Sequence, residues 1–333
     1  MNGKRYLRHI PESLLDNNGN KQYAITTLLM INDNYLPGCV AFAYSVKMAN
    51  KKLRNEIDLI CMVTKDISQL AIDDLKLYYD RVELVDIIEM NMDKMNHSKE
   101  DVKNIYAKAF TKINCLKFIE YKKVLQMDVD MLVIKEEFFS IFNLNTPACP
   151  FVGCLVFYKK DILDYYNMIY NNYLTHGGLI PKKLYDIDCK KLYKKYHINN
   201  MGFIGVESTI IMLKPSITDY NNMIEIINNG SGIYKSESNL FTSYYKYKFH
   251  HIDINFVGRW ETPEDNKKLV VIDMYGSSAK PWNIDKYNEL YIYKEVKYWG
   301  KIFVKYYNNS FKNKCKHMSI INLGEFLQER ILN

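Results

Sequence analysis

Val124-Leu125-Gln126-Met127-Asp128-Val129-Asp130-Met131-Leu132-Val133-Ile134 sets two carboxylates one residue apart within an apolar run rich in β-branched residues. Such a run reads as a buried strand that ends in an acidic turn. Asp at that place has two physical explanations. It initiates turns by bonding to its own backbone. Alternatively, two buried carboxylates are tolerated because a hard cation sits between them and an anion, as when magnesium or manganese bridges Asp oxygens to phosphates.

Working outward, a helical pattern from about Val102 to Glu120, containing Thr111-Lys112-Ile113-Asn114-Cys115-Leu116, leads into this strand. Further upstream, Gln22 to Met30 reads as a first buried strand. A turn-rich loop follows, Ile31-Asn32-Asp33-Asn34-Tyr35-Leu36-Pro37-Gly38, and then a helix through Ala41, Tyr44, Ser45, Val46 and Met48. Ile57 to Val63 is a second strand, residues 68 to 80 a helix, and Val82 to Ile88 a third strand. This alternation predicts an α/β fold with a doubly wound, mostly parallel sheet. Ligands in such sheets bind beyond the carboxyl ends of the strands, where the Asn32–Tyr35 loop and the acidic pair both fall.

With 333 residues, 48% of them hydrophobic, the chain can fill a sizeable core. No run of about twenty apolar residues is present to span a bilayer, and the start Met1-Asn2-Gly3-Lys4-Arg5-Tyr6-Leu7-Arg8-His9 lacks the apolar core of a secretory signal. The expectation is a cytoplasmic protein, or one of the virion or virus factory if the source is viral, and not a secreted one. Seven scattered cysteines without a C-x-x-C read as reduced thiols, neither disulfide frame nor zinc site. Lys and Tyr interleave, as in Tyr244-Tyr245-Lys246-Tyr247-Lys248, but Asn, Lys, Ile and Tyr are abundant throughout. That bias suits AT-rich coding in a large DNA virus, a protist or a bacterium, and no nucleic-acid partner is expected; the net charge of +7 helps to recruit an anionic ligand. Homodimerisation stays open.

Asn32-Asp33-x-Tyr35 after the first strand, Thr111-Lys112 before the acidic strand, and Asp128-x-Asp130 followed by Leu132-Val133 together resemble glycosyltransferase family 8, the glycogenin-like retaining transferases of the GT-A fold. Met212-Leu213-Lys214-Pro215-Ser216-Ile217-Thr218-Asp219-Tyr220 and Lys280-Pro281-Trp282-Asn283 extend the resemblance, which covers about 22–142 and 200–285. It implies a nucleotide-diphospho-sugar transferase fold in one catalytic domain, 21–285. Residues 1–20, polar and Asn-rich at their end, read as a flexible, loosely attached arm before it, and a helical extension at 286–333 would follow. Residues 150–200 would form an inserted acceptor-side or lid segment marked by Thr175-His176-Gly177-Gly178-Leu179-Ile180-Pro181.

Carried over by position, the resemblance puts Leu29, Ile31, Asn32 and Tyr35 around the uridine of a UDP-sugar. Lys112, Val129, Gly276 and Lys280 would lie at its diphosphate or sugar. Asp128, Asp130 and Asp273 would be ligands to Mn²⁺ or Mg²⁺. Asp273 stands where the family has His, and one extra residue separates Gly276 from Lys280; an all-oxygen set still suits those ions. The family's D-Q pair is Glu237-Ser238 here, so the Gln near the anomeric carbon is absent, and Glu237 or Glu207 would supply the polar face behind the sugar. Residues 255–260 hold no tyrosine for self-glucosylation. The implied reaction is metal-dependent, retaining transfer of a hexose, glucose first, with galactose and N-acetylglucosamine open, to a hydroxyl of a glycan, protein or small polyol. Two alternatives remain: a metal-dependent phosphatase with Asp128 as nucleophile, and a UDP-sugar-binding protein without turnover.

Overall fold

The computed structural model describes residues 9–91, 105–153, 174–185, 204–229, 236–253, 256–259, 267–274, 280–283 and 294–331. In chain order its strands are β1 (Tyr23–Leu29), β2 (Asp58–Val63), β3 (Arg81–Leu84), β4 (Lys123–Met127), β5 (Met131–Val133), β6 (Ala148–Cys149), β7 (Phe151–Gly153), β8 (Ile204–Val206), β9 (Ile210–Leu213), β10 (His250–His251), β11 (Val257–Arg259) and β12 (Val271–Asp273). The α-helices are α1 (Leu36–Ala49), α2 (Lys51–Asn55), α3 (Gln69–Leu75), α4 (Lys182–Tyr185), α5 (Ile217–Asn229), α6 (Glu237–Tyr244), α7 (Lys294–Tyr306) and α8 (Met318–Ile331). The chain divides into two compact units. A terminal unit is drawn from Ile10–Asp86, Met127–Phe142 and Ile254–Asn333, and a central unit from Met1–His9, Ile87–Gln126 and Asn143–Asp253.

In the terminal unit β1, β2 and β3 run parallel, with Ile25 opposite Leu59 and Cys61 opposite Val82. Every residue of β1 is buried, the continuous burial of a strand covered on both faces. Helix α1 starts with Pro37 in its first turn, where no amide partner is lost. It then holds β5, for Val133 N–H donates to Ser45 Oγ at 3.0 Å. Strand β5 pairs antiparallel with β12, which pairs parallel with β11. Of the N-terminal arm, residues 9–20 are described; Leu14 is buried, and its N–H and the Ser13 hydroxyl both donate to the Glu56 carboxylate.

Helices α7 and α8 close this unit as a hairpin, joined through a π-helical turn, Tyr307–Phe311. Trp299, Phe303 and Phe311 lie fully buried within it, each such ring contributing about 2 kcal/mol or more. Gly324 lets α8 close on this turn, since a Cβ there would come within 2.3 Å of the Tyr307 ring.

The central unit carries the strand order β10-β6-β9-β4 together with a β7–β8 antiparallel pair. Strand β6 runs parallel to β10 and antiparallel to β9. Of the expected helix before the acidic strand, residues 105–108 are α-helical and Ala109–Lys117 is a 3₁₀ segment. Two side-chain bonds fall on this segment: the Thr111 hydroxyl is held by Ile88 N–H from a distant part of the chain, and Asn114 Nδ2 donates to the Thr111 carbonyl, taking that carbonyl away from α-type bonding. Five described cysteines, Cys39, Cys61, Cys115, Cys149 and Cys315, are buried free thiols, and burial pushes Cys115 up to about 12. Among the described residues no helix is long and apolar enough to cross a membrane.

Candidate functional site

Two clusters of buried charge, one in each unit, contain most of the residues singled out above. In the terminal unit the chain leaves β1 through Ile31, whose φ of 74° is left-handed, and Asn32 then caps a 3₁₀ turn by accepting Asn34 N–H at 3.0 Å. Tyr35 ends that turn half-buried. Its ring meets Trp282 edge-on at 5.4 Å, and Lys280 Nζ lies 5.9 Å from its centroid. Burial first, then the Asp130 and Asp128 carboxylates, raise the Tyr35 hydroxyl pKa against the opposing charge of Lys280.

The acidic run turns over Asp128–Asp130 between β4 and β5. In the β5–β12 ladder Asp273 faces Met131, and Met274 N–H donates to the Asp130 carbonyl at 2.9 Å, so Asp130 and Asp273 share one end of this strand pair. Lys280 puts its ammonium on the Asp130 carboxylate and donates to the Met274 carbonyl. Burial works against that charge, but Asp130, Tyr35 and Asp273 outweigh it and raise the Lys280 pKa. Gly38 allows the convergence, because a Cβ there would lie 2.6 Å from Trp282 and 2.9 Å from the Val129 carbonyl. Leu29 and Val129 are buried, and the Leu29 carbonyl accepts Thr64 N–H at 3.3 Å. Gly276 lies outside the described residues.

Three carboxylates suit a hard divalent ion in donor chemistry. Among the described residues, however, no three of His, Cys, Asp and Glu are gathered tightly enough to hold one. An ion would have to draw the carboxylates together and take the place of Lys280 at Asp130.

In the central unit Lys112 Nζ donates to Glu237 Oε1 at 2.7 Å, and the Ser208 hydroxyl donates to the same oxygen at 2.9 Å. Ser208 also meets Ser238, Oγ to Oγ, at 2.7 Å. Glu237 Oε2 is buried and makes no hydrogen bond among the described residues. Burial pushes this carboxyl up, yet the Lys112 charge and hydrogen bond, with Ser208, bring it below the usual value. Glu237 opens α6. A Ser236–Asn239 capping box holds the start of that helix, and Asp219 of α5 accepts the hydroxyls of Tyr244 and Tyr245 at its end. Glu207 is half-exposed; its N–H donates to the Pro150 carbonyl, and its own carbonyl accepts from the Cys149 thiol.

The Thr175–Pro181 loop is bonded to β10, with Gly177 N–H donating to the His251 carbonyl at 2.7 Å. Burial drives His251 down to about 3, so a neutral imidazole accepts Phe151 N–H. Sequence reasoning put Lys112 and Glu237 in separate roles without pairing them, and it missed Ser208, whose only signal was its place beside Glu207.

The model of glycosyl transferase family 8 matches residues 26–286. An uncharacterized protein of Acanthamoeba polyphaga mimivirus is 24% identical over 307 residues, 89% of this chain and 95% of the relative. Glycogenin of Neurospora crassa is 28% identical over 156 residues, 42% of this chain and 21% of the relative. Among solved structures, the bifunctional glycosyltransferase WbbM in apo form is similar with a TM-score of 0.54 at 13% identity, covering 91% of this chain and 52% of that one. An active-site mutant of LgtC gives 0.51 at 13% identity, covering 84% and 94%. The chain thus spans about half of WbbM and about a fifth of the fungal glycogenin.

Proposed function

Because the chain belongs to glycosyl transferase family 8 and has the GT-A fold, we propose that it moves a hexose, glucose first, from a UDP-sugar to a hydroxyl acceptor with retention at the anomeric carbon. Family membership makes it a glycosyltransferase and sets aside the phosphatase role for Asp128. What supports the donor class is the terminal-unit cluster, where an aromatic ring, an ammonium and carboxylates at strand ends converge on one loop.

Tyr35 offers a ring face to the uracil, and Asn32, exposed beside it, an amide. Lys280 donates to the diphosphate as the bond from the anomeric carbon to the diphosphate oxygen breaks and negative charge collects on the leaving group. Asp128, Asp130 and Asp273 would hold a manganese or magnesium ion, which when bound offsets that same charge. In the central unit Lys112 and Ser208 keep Glu237 ionised and aimed. The carboxylate then stabilises positive charge at the anomeric carbon, where the family's Gln is missing. Glu207 acts on the acceptor side.

Calorimetry with UDP and UDP-glucose, with and without manganese, together with an assay of released UDP over glycan and polyol acceptors, tests this. Metal-enhanced UDP binding and release of UDP are expected, with an α-linked product by proton NMR. Absence of UDP binding under every condition removes the donor assignment, and a β-linked product removes retention.

A further inference from the structure

We propose that the C-terminal hairpin α7–α8 is the positioning element of the Ile31–Tyr35 loop, holding in shape the surface that receives the nucleotide base; the nucleotide part rests on the donor reading above. The family match ends at residue 286, before α7 begins at Lys294, so the hairpin is an addition of this chain to the matched segment.

The loop needs holding. Ile31 is β-branched and sits at φ 74°, a conformation that costs about 1–3 kcal/mol and persists only where the surroundings enforce it. Its own turn supplies a little of that, through Asn32 N–H to the Met30 carbonyl, and the residue after β2 supplies a little more, through Ile31 N–H to Thr64 Oγ1.

The hairpin then grips the loop at two points. At Asp33, His317 Nε2 lies 3.2 Å from one carboxylate oxygen while Ser68 N–H donates to the other at 3.1 Å. His317 Nδ1 accepts Ser319 N–H, which puts the ring proton on Nε2, where it donates to Asp33. His317 is itself fixed at the start of α8, because both its N–H and that of Lys316 donate to the buried Asp74 carboxylate of α3 at 2.9 Å. At Tyr35 the grip is aromatic. Phe303 stacks on Trp299 at 4.9 Å, Trp299 meets Trp282 at 5.6 Å, and Trp282 meets Tyr35 at 5.4 Å. An ordinary surface hairpin would cover the sheet without reaching both ends of a strained loop.

The experiment compares the full-length protein with His317→Ala, His317→Gln and Asp33→Asn, and with the Asp33→Asn/His317→Ala double variant. Each is measured for amide hydrogen exchange at 31–35, UDP affinity and melting temperature. Losing a hydrogen bond to a charged group should speed exchange at 31–35 and weaken UDP by about tenfold in His317→Ala. His317→Gln, whose amide still donates, should recover most of both. Asp33→Asn keeps an oxygen for Ser68 but no longer accepts from His317; it should match His317→Ala, and the double variant should be no worse than either. A lowered melting temperature with unchanged exchange and unchanged UDP affinity overturns the proposal, leaving the hairpin as packing alone. If exchange at 31–35 responds to His317 while the wild type binds no UDP, the positioning role stands and the donor assignment falls.

Discussion

Two lysine–carboxylate pairs, Lys280–Asp130 in the terminal unit and Lys112–Glu237 in the central unit, are equally buried at the lysine, each 9% exposed, yet their surroundings are opposite. Lys280 is one ammonium acted on by two carboxylates, Asp130 and Asp273, and it further donates to a carbonyl. Negative groups surround it, so on the proposed donor reading a divalent cation would compete for the same oxygens and a diphosphate would draw the ammonium away. In the central pair the roles are reversed. Glu237 is one carboxylate served by an ammonium and a hydroxyl through a single oxygen. Burial of a charged pair does not by itself say what the pair is for.

The largest effect that would sharpen this contrast is on turnover. Glu237→Gln keeps the shape but removes the charge, and turnover should fall at least about a hundredfold, roughly 2.7 kcal/mol of barrier, with UDP affinity nearly intact. Steady-state kinetics beside calorimetry reads both, and an equal loss in the two would erase the distinction between the pairs. Next comes Asp130→Ala. With manganese present it should lose about 2 kcal/mol of UDP affinity, whereas without metal binding should hold or rise, because a carboxylate repelling the diphosphate is gone. Loss in both conditions would mean that Asp130 only anchors Lys280.

Tyr35→Ala should weaken UDP and UDP-sugars alike by about 1 kcal/mol, the low end of base stacking. A fall in melting temperature with unchanged affinity per folded molecule would make Tyr35 a packing residue. The smallest effect is on stability against pH. Glu237 has a folded pKa below its ordinary 4.5, so its contribution is present above 4.5 and is lost as pH falls through the lower folded value. Thermal midpoints of the wild type and Glu237→Gln should therefore differ by a constant amount from about pH 7 to 5 and converge at more acid pH. Parallel curves throughout would show that the charge of Glu237 does not contribute to folding.

Several elements were legible in the chain because a local pattern announces them. The β1 run Tyr23–Leu29 is apolar except for the β-branched Thr26 and Thr27 and is buried at every position. Asp128-x-Asp130 interrupts an apolar run and becomes the turn between β4 and β5. Boundaries that depend on partners distant in sequence were not legible. The third strand ends at Leu84 and not at Ile88, whose N–H goes to the Thr111 hydroxyl. Nor was the 3₁₀ winding at Thr111 legible. Ser208 entered the Glu237 cluster unannounced, since a serine 29 positions away carries no periodic signal.

By itself, then, the sequence determined what local chemistry and period determine: continuous apolar strands, an acidic turn, an aromatic residue and an amide in the loop after the first strand, and an order of short motifs that places the chain in its family. Tertiary structure alone decided which charges meet. Lys112 and Glu237 are 125 residues apart, Lys280 and Asp130 150, and His317 and Asp33 284. An ion pair or a tether of that span depends on where the backbone brings two side chains, and no spacing along the chain encodes it.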